Sequence, residues 1–190
     1  MALMACREGG EMALRVGKGG GAGFGLADIA FGALSLALGA AALALYGAVG
    51  DGALRVLLLP HAKAAEAFYN VALRYRDGAG YVAAGGGFAI GRGCMGVNFI
   101  AMLFSMMACA FTRRFRGPRK AVFFVLSLAG SIAVGVLASC IRIIGSVPML
   151  SSSRFAAFHA GTGAALYLAT LVCIYALADR ATGGHNGKKC

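Results

Sequence analysis

The chain contains no tryptophan, and only 7 of its 190 residues are acidic. Charged residues of both signs make up 13%, against roughly a quarter in ordinary soluble domains, and 59% are hydrophobic. A soluble fold of this size needs more polar surface than that, so a soluble globular domain is excluded. Without tryptophan, any aromatic belt at a membrane interface rests on tyrosine and phenylalanine. No pair among the six cysteines (Cys6, Cys94, Cys109, Cys140, Cys173, Cys190) has Cys-x-x-Cys spacing, which removes support for zinc or thioredoxin-type chemistry. There is no Gly-x-Ser-x-Gly element either, which weakens a rhomboid-like serine protease.

What is present is apolar and small. Thirty glycines and many alanines permit close helix packing in lipid. The reading is an all-α, polytopic transmembrane helical bundle of about four spans plus an extracytoplasmic amphipathic helix. The 18 basic residues give a net charge of +11, but they cluster in short segments between apolar runs, as the positive-inside rule expects. A membrane-lipid partner is therefore favoured and nucleic acid is not.

Residues 1–25 are polar and glycine-rich and read as a flexible cytoplasmic lead. The apolar run after them is too long for the core of a cleavable signal peptide. The bundle is assigned to residues 26–178 and a cytoplasmic tail to 179–190. The first span covers about 26–49, with Asp28 at headgroup level or in a functional role, and about 20 apolar residues suffice to cross.

Between 50 and 93 no clean span appears. An apolar piece at 54–59 is expected to stop at Pro60. From 61 to 77 an amphipathic helix is expected, with Lys63, Glu66, Asn70, Arg74 and Asp77 on one face. Residues 78–93, with seven glycines, are a loop, a short hairpin or a re-entrant segment.

The second span covers about 94–111. Its methionines read as packing groups, since no polar ligand accompanies them. It ends at 113–120, where five of eight residues are basic and none is acidic, which marks a cytoplasmic loop. The third span covers about 121–144, with Arg142 at its far end; the fourth covers about 155–177, with His159 near its start.

This topology puts Cys94, Arg142 and His159, from three helices, at one depth on the extracytoplasmic side. A thiol attacks as the thiolate, whose formation a nearby cation or a helix N-terminus favours; both are expected for Cys94. His159 suits proton transfer, and Arg142 suits a carboxylate or an oxyanion. Gly93 and Gly96 permit close approach of a substrate backbone. Each residue also has a plainer reading: a packing cysteine, a snorkelling arginine, a capping histidine. A Cys94–Cys140 disulfide is a further alternative. Residues 140 and 142 lie about 200° apart on a helix, so Arg142 facing Cys94 turns Cys140 away.

At these positions the sequence resembles the exosortase/archaeosortase family, most closely its short members of the exosortase K type. The resemblance rests on Cys94-Met95-Gly96 at a helix start, Ser139-Cys140-Ile141-Arg142 at a later helix end, and His159-Ala160-Gly161-Thr162-Gly163. It covers about residues 55–178. Met95 stands where a small residue is commoner, and the extra N-terminal spans of longer members are not seen.

The resemblance implies a sortase-like cysteine peptidase or transpeptidase in the cell inner membrane, without metal or organic cofactor. Its catalytic residues would be Cys94, Arg142 and His159, with Gly96 and Ser139 as substrate-side or supporting positions. Its partners would be exported proteins bearing a C-terminal motif, a transmembrane helix and a basic tail. The alternative is a non-catalytic membrane scaffold or small transporter subunit, although mid-span positions are almost all apolar, which disfavours transport.

Overall fold

The computed structural model describes residues 25–115 and 117–183. The expected N-terminal lead, Arg116 of the basic loop and most of the tail lie outside the described residues. Among the described residues, five α-helices carry the fold: α1 (Leu26–Ala48), α2 (Asp51–Tyr69), α3 (Val97–Phe111), α4 (Pro118–Ser146) and α5 (Phe155–Gly183). Between α2 and α3 lies a small antiparallel sheet of β1 (Leu73–Arg76), β2 (Gly80–Ala83) and β3 (Ala89–Ile90), in that spatial order.

The chain is an all-α transmembrane bundle. Among the described residues, four segments, Asp28–Ala48, Arg92–Arg114, Pro118–Met149 and Phe155–Thr182, are long and apolar enough to cross a membrane. Leucines, isoleucines and valines on their outer faces, such as Leu34, Leu45, Val125, Leu137 and Leu168, are exposed. An apolar surface that extensive suits lipid, not water.

α3 lies centrally, packed on α1, on α4 and more lightly on α5. Its buried Phe99 and Leu103 cluster with Ala138 of α4, whose other buried residues are mostly small, among them Ser127, Ser131, Gly135 and Ser139. Association in lipid gains little from hydrophobicity, so close approach over small side chains supplies the attraction. Gly135 is where this matters most, since a β-carbon there would run into Ile100 of α3.

The region between α1 and α3 departs from expectation. Pro60 does not end a helix; α2 runs through it from Asp51 to Tyr69. Pro60 deprives the Val56 carbonyl of its usual donor, and the helix tolerates this on a face where both residues are exposed. Arg74 and Asp77 are not on the amphipathic helix. Asn70, in left-handed conformation, ends α2, and Arg74 lies on β1. Residues 78–93 form a short hairpin, β2 and β3, within the three-stranded sheet.

In the sheet, Leu73 pairs with Ala83, Tyr75 with Tyr81, and Tyr81 with Ile90. Leu73, Tyr81, Ala83 and Ile90 form a core with Leu54, Leu58, Ala62 and Ala65 of α2 and Ile143 of α4. The Tyr75 hydroxyl donates to Asp51, and the Tyr81 hydroxyl to the Arg55 carbonyl, 3.1 Å away. Helix α2 and the sheet thus form a cap over one end of the bundle.

The opposite end is charged. Lys120 at the head of α4 pairs with Asp28 at the head of α1, 2.5 Å apart. Arg114 pairs with Asp179 of α5 at 2.6 Å and also donates to Thr182. The last helix therefore continues past the expected end at 177 and ties into the basic loop.

Overpacking a tight helix contact costs about 1–3 kcal/mol, so Gly135→Val should lower the apparent melting temperature in detergent by about 5 °C or more. Gly130→Val, where a β-carbon meets nothing within 4 Å, should leave it within about 2 °C. Equal effects would contradict the packing described.

Candidate active site

The capped end of the bundle is assembled by backbone carbonyls that need partners. The last carbonyls of α1 have none within the helix. Arg92 supplies them: its Nη1 donates to the Tyr46 and Gly47 carbonyls at 3.0 and 2.6 Å, and its Nη2 to Val49 at 2.6 Å. A cation at a helix C-terminus is also favoured by the helix dipole. In return the Tyr46 hydroxyl donates to the Arg92 carbonyl at 2.7 Å. Residues Arg92–Cys94 form one 3-10 turn, so this clamp fixes the position of Cys94.

Cys94 is not in the first turn of a helix, as the sequence suggested. It precedes the α3 cap, Gly96, by two residues. The reason is steric. Gly96 adopts the left-handed conformation (φ 67°), and a β-carbon there would collide with the Ser139 and Tyr167 hydroxyls. The chain must turn at Gly96 before α3 begins. Ser139 is fully buried; its hydroxyl donates to the Met95 carbonyl at 3.1 Å and lies 3.2 Å from the Tyr167 hydroxyl. Tyr167 in turn stacks on Phe99, with ring centroids 4.3 Å apart. Gly96 and Ser139 thereby lock α3, α4 and α5 together beneath the cysteine.

Arg142 reaches the same turn from α4. Its Nη2 donates to the Gly93 carbonyl at 3.0 Å, the carbonyl next to Cys94. Its guanidinium carbon sits 5.3 Å from the centroid of the Tyr167 ring, within cation–π range. Gly163 makes the room: a β-carbon there would lie 2.9 Å from Arg142 Cδ. The second glycine of the His159–Gly163 element is therefore required by Arg142.

His159, on the first turns of α5, places Nδ1 2.9 Å from the Ser146 hydroxyl at the end of α4. Ser146 also donates to the Arg142 carbonyl at 2.7 Å. The ring stacks on Phe155, with centroids 5.5 Å apart.

Cys94, Ser146 and His159 open onto one cavity of about 220 Å³, whose remaining walls are apolar, including Phe88, Ile143, Leu150 and Phe155. Arg142 borders this group through Gly93 and Ser146 without lining the cavity. All three expected residues are thus at one end of the bundle. Cys94 and Cys140 are both free, so the disulfide alternative does not hold in this structure. Among the described residues no cluster of three or more His, Cys, Asp or Glu groups is placed to hold a metal ion.

The structure adds residues that local spacing did not disclose: Arg92, Ser146, Tyr167 and His61. The only cue for Arg92 was a lone charge in a glycine-rich stretch. His61, on α2, is completely buried, and among the described residues neither ring nitrogen has a hydrogen-bond partner. Burial pushes its pKa below the ordinary value, and the charge of Arg142 adds to that; the Leu57 carbonyl one turn earlier acts weakly in the opposite sense. Burial and the Arg142 charge both favour the neutral form of His61.

No known protein family, curated protein or solved structure matches the chain.

The sign of the His61 effect follows from its lowered pKa. Below about pH 6.5 the unfolded chain gains a proton that the folded chain refuses, so its contribution to stability, complete above that pH, is lost as pH falls. The apparent melting temperature should drop between about pH 7.5 and pH 5, and His61→Leu should reduce that drop by roughly half or more. An unchanged drop would contradict a neutral, buried His61.

Proposed function

We propose that the protein is a membrane-embedded cysteine peptidase or transpeptidase of the exosortase/archaeosortase kind. The observation that carries this reading is the shared cavity of Cys94 and His159, with Arg142 from a third helix holding the carbonyl beside the cysteine.

In this reading His159 accepts the Cys94 thiol proton, and the thiolate sulfur attacks the scissile carbonyl carbon. Negative charge gathers on the carbonyl oxygen, where the imidazolium of His159 and the Arg142 guanidinium behind the Gly93 carbonyl offset it in this reading. Collapse breaks the C–N bond, and His159 returns its proton to the leaving amine. The thioester on Cys94 then passes to an acceptor amine or to water, which regenerates the thiol. The apolar walls of the cavity lower the local dielectric and strengthen each electrostatic contact.

The proposed substrates are exported proteins ending in a short motif, a transmembrane helix and a basic tail. The basic residues Arg113, Arg114, Arg119 and Lys120 lie at the end of the bundle away from the cavity, which supports an extracytoplasmic site and cytoplasmic termini. The proposed location is the cell inner membrane.

Co-expression with such a substrate should give processing that Cys94→Ala and Cys94→Ser each reduce by about 100-fold or more. A membrane-impermeant thiol reagent applied from outside should label Cys94 but not Cys109. Processing that survives either cysteine substitution would sink the peptidase reading and favour a scaffold. Labelling of Cys109 alone would reverse the orientation.

A further inference from the structure

Ser146 closes α4 and is buried at the seam between α4 and α5. Its hydroxyl makes two short contacts: the Arg142 carbonyl at 2.7 Å and His159 Nδ1 at 2.9 Å. A carbonyl oxygen only accepts, and a hydroxyl carries a single hydrogen. If that hydrogen pointed at His159, the serine and carbonyl oxygens would face each other at 2.7 Å with lone pairs opposed. Both contacts are satisfied only when Ser146 donates to Arg142 and accepts from a protonated Nδ1.

A neutral imidazole carries one N–H, so Nε2 is then bare. We infer that Ser146 is a positioning residue that holds His159 in the Nδ1–H tautomer, leaving Nε2 as the basic nitrogen for the cavity shared with Cys94. Its catalytic consequence rests on the peptidase reading; the tautomer itself does not.

The arrangement has a second effect. The carbonyl that orients Ser146 belongs to Arg142, whose guanidinium holds the turn bearing Cys94. Base and cation are therefore referred to one residue of one helix. The segment that follows is also held. Pro148 has no N–H to offer the Ile144 carbonyl, and the Tyr69 hydroxyl from the cap donates to that carbonyl instead. The end of α4 keeps its shape up to Ser146 although the proline interrupts its hydrogen bonding.

The role asked of Ser146 is that of an orienting partner, which sets which nitrogen of His159 carries the proton. Threonine keeps the hydroxyl and alanine removes it, so the two variants separate orientation from packing.

The test is nitrogen-15 NMR of the full chain, labelled at histidine and held in lipid bilayers, with the His159 signals identified by their loss in His159→Asn. The wild type should show Nδ1 protonated and Nε2 bare. Ser146→Thr should keep that pattern, and Ser146→Ala should mix the two tautomers. With a co-reconstituted substrate carrying a C-terminal helix and basic tail, Ser146→Ala should slow processing by about tenfold or more, and Ser146→Thr by no more than about threefold. A wild type protonated at Nε2, or a tautomer indifferent to Ser146→Ala, would overturn the inference. A tautomer that follows Ser146 in a protein that processes no substrate would uphold the positioning and count against the peptidase reading, so the two fail separately.

Discussion

The grip of Arg92 on the last carbonyls of α1 is the contact on which the capped end depends. A helix ending near a membrane surface leaves carbonyls that need donors, and a glycine-rich segment has no stiffness of its own. One guanidinium meets both needs. It closes α1 and pins the turn that carries Cys94, while the Tyr46 hydroxyl returns a bond to the same turn. Arg142 holds that turn from the other side through the Gly93 carbonyl. The cysteine is thus suspended between two arginines by backbone contacts, on a bundle whose helices approach closely because α4 presents small residues to α3.

The glycines of this region act in pairs with particular side chains. Gly96 is shaped by Ser139 and Tyr167, and Gly163 by Arg142. These contacts give the Cys-x-Gly, Ser-x-x-Arg and His-x-x-x-Gly elements a shared structural logic: each glycine vacates the volume that a polar side chain of another helix occupies. That logic stands whatever reaction the site performs, and it explains why three short elements far apart in the chain end in one small volume.

The four spans were legible because twenty-odd apolar residues have few soluble alternatives, and the observed helices depart from the expected ends by only a few residues. Cys94, Arg142 and His159 were legible as a set because span direction alone fixes which helix ends share a side. The cap was not. Arg74 and Asp77 fell at helical spacing by coincidence, and the left-handed turn at Asn70 cut the helix before them. Pro60 looked like a stop because its tolerance depends on the exposure of Val56, which no local pattern reports. Arg92 and Ser146 work through partners at a distance in sequence, Tyr46 for the first and His159 for the second, and His61 is set apart by its burial. Residue type and spacing carry no trace of those contacts.

The central claim is that Cys94 forms a covalent bond to substrate in the cavity it shares with His159. The direct measurement is mass spectrometry of the Cys94 peptide after brief mixing of the reconstituted protein with a substrate bearing a C-terminal helix and basic tail. The account predicts an acyl adduct on Cys94 that hydroxylamine releases and that Arg142→Ala and His159→Ala diminish. Substrate processed while Cys94 remains unmodified, or an adduct borne by another residue, would contradict it.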